Sequence, residues 1–204
     1  MPPTTHLAKA DPLLAELIAT VELPPIEPSH GVFYDLVSCL VDQQVPQRSR
    51  HGVYLKKVKM LLDGEAPDPH NVLRIEEADW NQNKLANPKY HRLRALAEHW
   101  IAEGWEDLDW HTLPDATVRE QLSALPGIGA QSIDMILLYT LERPDIFPPG
   151  DYHVKQAMTI FYDLEPKPPK AFTAKTLAQS AAWAPHRSLA TRYLLAGKQQ
   201  LGKK

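Results

Sequence analysis

The stretch that decides the fold is Leu125-Pro126-Gly127-Ile128-Gly129-Ala130-Gln131-Ser132-Ile133-Asp134. Two glycines one residue apart separate a short amphipathic segment from a longer one. Glycine adopts backbone angles that other residues avoid, so this pair permits a sharp turn between two helices. Such a turn presents bare backbone N–H groups at the start of the second helix, and a helix end of this kind attracts phosphate. The sequence predicts a helical hairpin over residues 117–142 that contacts an anion.

Two other interpretations fit part of this stretch. A dinucleotide-binding turn also contains closely spaced glycines, but it needs a preceding strand and a third glycine, where Ser132 stands. The glycines would equally serve an ordinary turn that only brings two helices close together. From these ten residues alone, that second interpretation stays open.

Helical periodicity extends outward from the hairpin in both directions. Near the N-terminus, Asp11 stands where it can cap a helix whose apolar residues follow the spacing of one helical face: Leu14, Leu17, Ile18 and Val21. Between Tyr90 and Glu103 a second apolar face is formed by Leu93, Leu96, Ala97 and Trp100. No segment of five or more residues alternates convincingly with period two. We predict an all-α fold with at least nine helices.

Length and composition place the chain among globular proteins. It has 204 residues, of which 44% are hydrophobic and 23% are charged, which is enough for one domain or two small lobes. No apolar run reaches the length of a membrane span, and residues 1–9 do not form a signal peptide. We expect a cytoplasmic protein with no membrane partner.

Positive charge is concentrated in two segments although the formal net charge is −3. Residues 166–204 contain eight basic residues and no acidic ones, and residues 41–60 carry a net charge of +4. Such asymmetry indicates an anionic partner, although a solvated helix face gives the same count.

Four segments, in order along the chain, resemble one enzyme family. They are Leu36–Gln44 (LVSCLVDQQ), Leu125–Ser132, Pro148–Gln156 (PPGDYHVKQ) and Trp183–Leu194 (WAPHRSLATRYL). Together they resemble the helix-hairpin-helix/Gly-Pro-Asp DNA glycosylase superfamily. The last segment is similar to the W-x-P-x-R-S-x-A-x-x-Y-L pattern of its 3-methyladenine DNA glycosylase II (alkylpurine) branch. The resemblance spans about residues 32–195 and implies a minimal form without the branch's N-terminal β-rich domain.

The resemblance implies a two-lobed helical bundle with a central cleft between the lobes. We expect one lobe at residues 31–150, ending in the hairpin 117–142. The other lobe would combine residues 1–30 with residues 151–204. The substrate would be double-stranded DNA containing a damaged base, and the enzyme a monomer associated with a bacterial-type nucleoid through DNA.

Asp151 is the catalytic residue that the resemblance implies. An enzyme that removes a base from DNA must flip the nucleotide out of the stack and stabilise an oxocarbenium-like sugar. A carboxylate beside the sugar does this electrostatically and can orient the attacking water. An aspartate before a helix also serves as an N-cap, and the two roles are compatible because capping holds the carboxylate in place.

The residue type at position 131, here Gln131, distinguishes two catalytic mechanisms within the family. In the bifunctional glycosylase/lyases a lysine at this hairpin position forms a Schiff base with the sugar. No lysine lies between Lys89 and Lys155, so we predict a monofunctional glycosylase that leaves an intact abasic site. Cys39 is the only cysteine, which excludes the iron–sulfur cluster of other branches. No organic cofactor is expected.

The damaged base is expected to stack on aromatic side chains, because an alkylated purine is cationic and electron-deficient. The resemblance implies a base pocket formed by Gln131, Met135, Trp183, Tyr152 and Tyr34. Trp183 would equally serve as a core residue, and both tyrosines as packing residues. The family branch usually has bulky aromatics at the hairpin positions, so Gln131 leaves the choice among alkylated, deaminated and oxidised bases open.

DNA contacts are implied at three further places. Gln43 and Gln44 match the loop that fills the gap left by the flipped base, although surface polarity explains them equally. At the hairpin we expect a phosphate and a monovalent cation (Na⁺ or K⁺). The phosphate would be bound by Gly127, Ile128, Gly129, Ala130 and Gln131. The cation would be held by the backbone carbonyls of Ser123, Leu125 and Ile128. The remaining contacts are assigned to Arg48, Lys89, Arg187 and Ser188, of which the last two also suit a structural role at helix ends.

The sequence therefore predicts a base-excision-repair DNA glycosylase that hydrolyses the N-glycosidic bond of an alkylated purine such as 3-methyladenine or 7-methylguanine. One alternative is a glycosylase for a deaminated or oxidised base. Another is a non-catalytic helix-hairpin-helix protein that binds DNA structure. A small-molecule or interaction domain with a fortuitous hairpin is the third, and it would show no salt-dependent DNA affinity.

Overall fold

The computed structural model describes residues 1–26, 28–42 and 53–202. These residues form twelve α-helices and no β-strand, which confirms the predicted all-α class. The helices are α1 (Pro3–Ala10), α2 (Pro12–Thr20), α3 (Val32–Asp42), α4 (Val53–Leu61), α5 (Pro69–Leu73), α6 (Glu77–Gln82), α7 (Asn87–Ala102), α8 (Asp115–Ser123), α9 (Ala130–Met135), α10 (Tyr152–Tyr162), α11 (Pro169–Ala181) and α12 (Arg187–Leu201).

The chain divides into two compact units. The terminal unit comprises Met1–Glu27 and Leu137–Lys204, and the central unit comprises Pro28–Ile136. The chain thus leaves the central unit inside the helix that follows the hairpin, where α9 continues as a π-helical turn at Ile136–Thr140. The expected boundary at residue 150 lies later in the chain than this observed one.

The core of the terminal unit is built around a buried carboxylate. Asp11 caps α2, accepting the backbone N–H groups of Leu13 and Leu14 at 3.0 and 3.4 Å. Its other carboxylate oxygen accepts three side-chain donors at 2.8 to 3.0 Å, from Tyr162, Gln179 and Trp183. One residue therefore ties the start of α2 to the C-terminal helices.

The core of the central unit is aromatic and surrounds α7. The rings of Trp100, Trp105 and Trp110 lie 5.2 to 5.3 Å apart, and Phe33 of α3 packs edge-on against Trp100. The predicted apolar face of α7 is buried as expected. No helix among the described residues is both long and apolar enough to cross a membrane.

Candidate active site

Asp151 stands where a proline-rich loop of the terminal unit ends and α10 begins. Its backbone N–H donates to the carbonyl of Pro148 at 3.1 Å, which closes the turn through Gly150. Its Oδ1 accepts the N–H of Val154 at 2.8 Å, so the aspartate caps α10 as the sequence suggests. The residue is 8% exposed. The cap fixes the direction of the carboxylate without neutralising its charge.

The start of α12 anchors the loop that carries Asp151. The guanidinium of Arg187 forms a bidentate ion pair with Asp145 at 2.7 and 2.8 Å, and this bond holds the pKa of the Asp145 carboxyl below its usual value. The hydroxyl of Ser188 accepts the N–H of Ile146 at 2.8 Å and donates to the carbonyl of Arg143. The structure therefore gives Arg187 and Ser188 the structural role that the sequence left open.

Two titratable side chains share the electrostatic neighbourhood of Asp151. Burial raises the pKa of the Tyr139 phenol; the positive charge of Arg192 opposes this rise and the negative charge of Asp151 adds to it. Burial lowers the pKa of the Lys198 ammonium, and Asp151 partly opposes that change. Lys198 Nζ also lies 2.9 Å from His153 Nδ1.

Sequence reasoning did not assign Lys198 to this site. In the sequence, Lys198 is only one member of the basic C-terminal segment. It comes near Asp151 because α12 packs against α10, a helix that lies far from it along the chain. The fold therefore supplies a lysine near Asp151 although none lies between Lys89 and Lys155 in the sequence. No local signal marks this lysine.

The predicted base-pocket aromatics of the terminal unit have opposite environments. Tyr152 is 58% exposed and accepts a hydrogen bond from Gln156 at 2.8 Å, and Lys198 Nζ lies 5.9 Å from its ring centre. Trp183 is 0% exposed, and its indole N–H donates to Asp11 at 2.9 Å. The base-pocket assignment of Trp183 is wrong, since a tryptophan buried in the core offers no ring face to a base.

The hairpin lies in the central unit, with its turn between α8 and α9. Gly127 has a φ of +83°, a left-handed value that favours glycine, whereas Gly129 is extended at −104° and caps α9. Arg119 of α8 and Asp134 of α9 form an ion pair at 2.7 Å that joins the two helices. Burial raises the pKa of the Asp134 carboxyl, and the bond to Arg119 opposes that rise.

The other predicted residues of the central unit are scattered over three helices. Gln131 is exposed and Met135 is half-buried, both on α9. Tyr34 of α3 is half-buried, with the His30 ring 4.5 Å and Lys59 Nζ 5.2 Å from its ring centre. Lys89 donates to the carbonyl of Val41, which is an internal contact. Gln43, Gln44 and Arg48 lie outside the described residues.

Comparison with known proteins places this architecture in one family. Residues 37–182 match the HhH-GPD superfamily base excision DNA repair protein family. The chain is 22% identical over 165 residues to DNA-3-methyladenine glycosylase 1 of Schizosaccharomyces pombe, covering 79% of this chain and 70% of that protein.

Two solved structures share the fold. The crystal structure of DNA-3-methyladenine glycosidase from Bacillus halodurans superposes with a TM-score of 0.81 at 23% identity, covering 100% of this chain and 92% of that one. The Schizosaccharomyces pombe 3-methyladenine DNA glycosylase in complex with abasic DNA superposes with a TM-score of 0.78 at 20% identity, covering 97% and 96%. The family match spans the hairpin, the loop and Asp151, and it confirms the resemblance that the motifs indicate. The chain belongs to the HhH-GPD superfamily of base excision DNA repair proteins.

Proposed function

We propose that this chain is a monofunctional DNA glycosylase that hydrolyses the N-glycosidic bond of an alkylated purine in double-stranded DNA. The observation that carries the proposal is Asp151, a capped and largely buried carboxylate within the family match, at the position where the resemblance implies the catalytic aspartate. The names of the relatives favour 3-methyladenine as the substrate class.

Asp151 supplies electrostatic stabilisation in this mechanism. As the bond between base and sugar breaks, positive charge develops on the sugar, and a carboxylate held in a fixed direction stabilises that charge without reorganising. The hydrogen bond from Val154 provides the fixed direction. The same carboxylate can orient the water that completes hydrolysis.

Water is the proposed nucleophile because Gln131 occupies the hairpin position at which the lyases have lysine. An amide does not form a Schiff base, so the product would be an intact abasic site. Lys198 is the lysine that the fold brings into the neighbourhood of Asp151, and it therefore needs its own variant in the assay.

Taken one at a time, Tyr152 and Gln131 favour different substrate classes. The exposed ring of Tyr152 suits stacking against a cationic purine. The exposed amide of Gln131 can instead hydrogen-bond the edge of a deaminated or oxidised base. Release from such a duplex alone would change the substrate and leave the mechanism as proposed.

A monovalent cation at the hairpin is part of the proposal. The carbonyls of Ser123, Leu125 and Ile128 lie at the end of α8 and in the turn that follows, and an all-oxygen donor set suits a hard cation. Leu125 accepts the N–H of Ile128 at 3.2 Å, which occupies one of the two lone pairs of that oxygen. Held by these carbonyls, the cation would supply positive charge that favours a DNA phosphate, so replacing K⁺ by choline at constant ionic strength should weaken DNA binding.

The decisive experiment compares base release by the wild type, Asp151→Asn and Asp68→Asn. The duplexes contain 3-methyladenine, 7-methylguanine, hypoxanthine, uracil or 8-oxoguanine, and each is analysed with and without alkali. We expect Asp151→Asn to slow release of the alkylated purines by at least about 100-fold under single-turnover conditions. Asp68 caps α5 in the same way, so Asp68→Asn controls for the loss of a cap charge.

Two further results complete the test. Strand breaks should appear only after alkali, for the wild type and Lys198→Gln alike, and breaks without alkali that Lys198→Gln removes would refute the monofunctional assignment. If the wild type and Asp151→Asn bind DNA equally and neither releases a base from any duplex, the chain is a non-catalytic protein that binds DNA structure.

A further inference from the structure

Helix α7 carries five potential cations, of which three have polar partners within the protein and a fourth, His99, packs edge-on against Trp105. Lys89 donates to the carbonyl of Val41. His91 Nε2 lies 3.9 Å from Glu77 Oε1. Arg94 donates to the carbonyl of Leu73 at 2.9 Å and lies 3.7 Å from Glu98.

Arg92 is the exception on this helix. Its side chain is exposed, and among the described residues it forms neither an ion pair nor a hydrogen bond. Its aliphatic part nevertheless packs against Gly127. A Cβ atom built on Gly127 would lie 2.8 Å from Arg92 Cδ and 3.3 Å from Arg92 Nε. The packing places the guanidinium beside the turn of the hairpin.

Local charge explains why this position matters. The central unit, which contains the hairpin, has 16 acidic and 11 basic residues, so the unit as a whole repels a polyanion. Attraction to DNA must therefore come from individual cations near the point of contact. The buried carboxylate of Asp134 does not offset Arg92, since it is already paired with Arg119.

We propose that Arg92 binds a backbone phosphate of DNA beside the hairpin turn. This inference rests on the proposed function, because it takes the hairpin as a DNA-contacting element. A guanidinium presents several N–H donors in a fixed plane that match phosphate oxygens. Because its aliphatic part is packed, less side-chain entropy is lost on binding. The contact is independent of sequence and lesion, so it adds affinity without selecting the base.

The test measures how DNA affinity depends on salt for Arg92→Gln, Arg92→Lys and a matched control. The control is Arg74→Gln, which removes the same charge from an exposed arginine of the same unit that is paired with Glu65. Each protein is titrated with an undamaged duplex and with an alkylated duplex between about 50 and 200 mM salt.

We expect Arg92→Gln to weaken binding to both duplexes by the same factor, on the order of tenfold near 0.1 M salt, and to lower the log–log salt slope by about one. Arg92→Lys keeps the charge and should restore most of the slope. Arg74→Gln should match the wild type.

Failure of this inference is distinguishable from failure of the proposed function. If the wild type releases bases and Arg92→Gln has the salt slope of Arg74→Gln, the phosphate contact is refuted and the glycosylase stands. A slope change in Arg92→Gln with no base release by the wild type supports the contact and refutes the glycosylase. A wild type that does not bind DNA at all overturns both.

Discussion

At the residue scale, two aspartates with the same local signal have different hydrogen-bonding surroundings. Asp151 and Asp11 are both capping aspartates at helix starts, and both are buried. Asp11 uses both of its oxygens within the protein core. Trp183 is a hydrogen-bonding partner of Asp11 in the core and is not a base-pocket residue.

Replacing Asp11 by alanine should destabilise the protein far more than loss of a cap alone. The change leaves the donors of Tyr162, Gln179 and Trp183 without their acceptor, and the bond from Trp183 is buried while the other two are partly buried. We expect a loss of about 3 to 4 kcal/mol in the free energy of unfolding. Chemical denaturation monitored by circular dichroism measures it.

The control is Asp68→Ala, which removes a cap from α5 at an exposed aspartate and should cost about 1 kcal/mol. Equal losses for the two variants would mean that the side-chain bonds to Asp11 contribute nothing beyond the cap.

At the element scale, the hairpin depends on one glycine more than on the other. The repeated glycines look equivalent in the sequence. In the structure Gly127 has a φ of +83° and touches the side chain of Arg92, whereas Gly129 has an ordinary extended φ and open space around its Cα. The second helix also differs from its expected span, because α9 ends at Met135 and a π-helical turn follows.

Alanine substitution should separate the two glycines. We expect Gly127→Ala to cost about 1 to 2 kcal/mol, because a side chain at this φ is strained and its Cβ must displace Arg92. Gly129→Ala should stay within about 0.5 kcal/mol of the wild type. Thermal and urea unfolding of both variants provide the comparison, and an equal effect at the two positions would contradict the assigned backbone geometry.

At the scale of the whole molecule, the two units differ in charge and in the chemistry of their cores. The terminal unit has 11 basic and 9 acidic residues, whereas the central unit has an excess of acidic residues. Two phenols of the terminal unit, Tyr139 and Tyr162, have pKa values raised chiefly by burial. The bond to Asp11 adds to the rise at Tyr162.

Stability should therefore fall in alkaline solution. Below the ordinary tyrosine pKa of 10.0 both folded and unfolded states keep these phenols protonated, and the stabilisation is fully present. Above it the unfolded chain releases the protons more readily than the folded one, so stability is lost as the pH rises. Urea unfolding between about pH 8 and 11 tests this. Tyr162→Phe should make the decline shallower, and an unchanged slope in that variant would refute the assignment.

Much of the fold and part of the site were predictable because local patterns encode them. The apolar spacing of α2 and α7, the caps at Asp11 and Asp151 and the glycines of the hairpin each depend on residues within a few positions of one another. The same locality explains why the motifs suffice to recognise the family.

Local sequence patterns are sufficient to predict the helical class, the hairpin and the capped aspartate at the start of α10. They do not predict that Trp183 is buried against Asp11, that Lys198 lies in the electrostatic neighbourhood of Asp151 or that Arg92 packs against Gly127. The physical reason is that these contacts join residues far apart in the chain, so they depend on which helices pack together, and no short-range spacing records that choice.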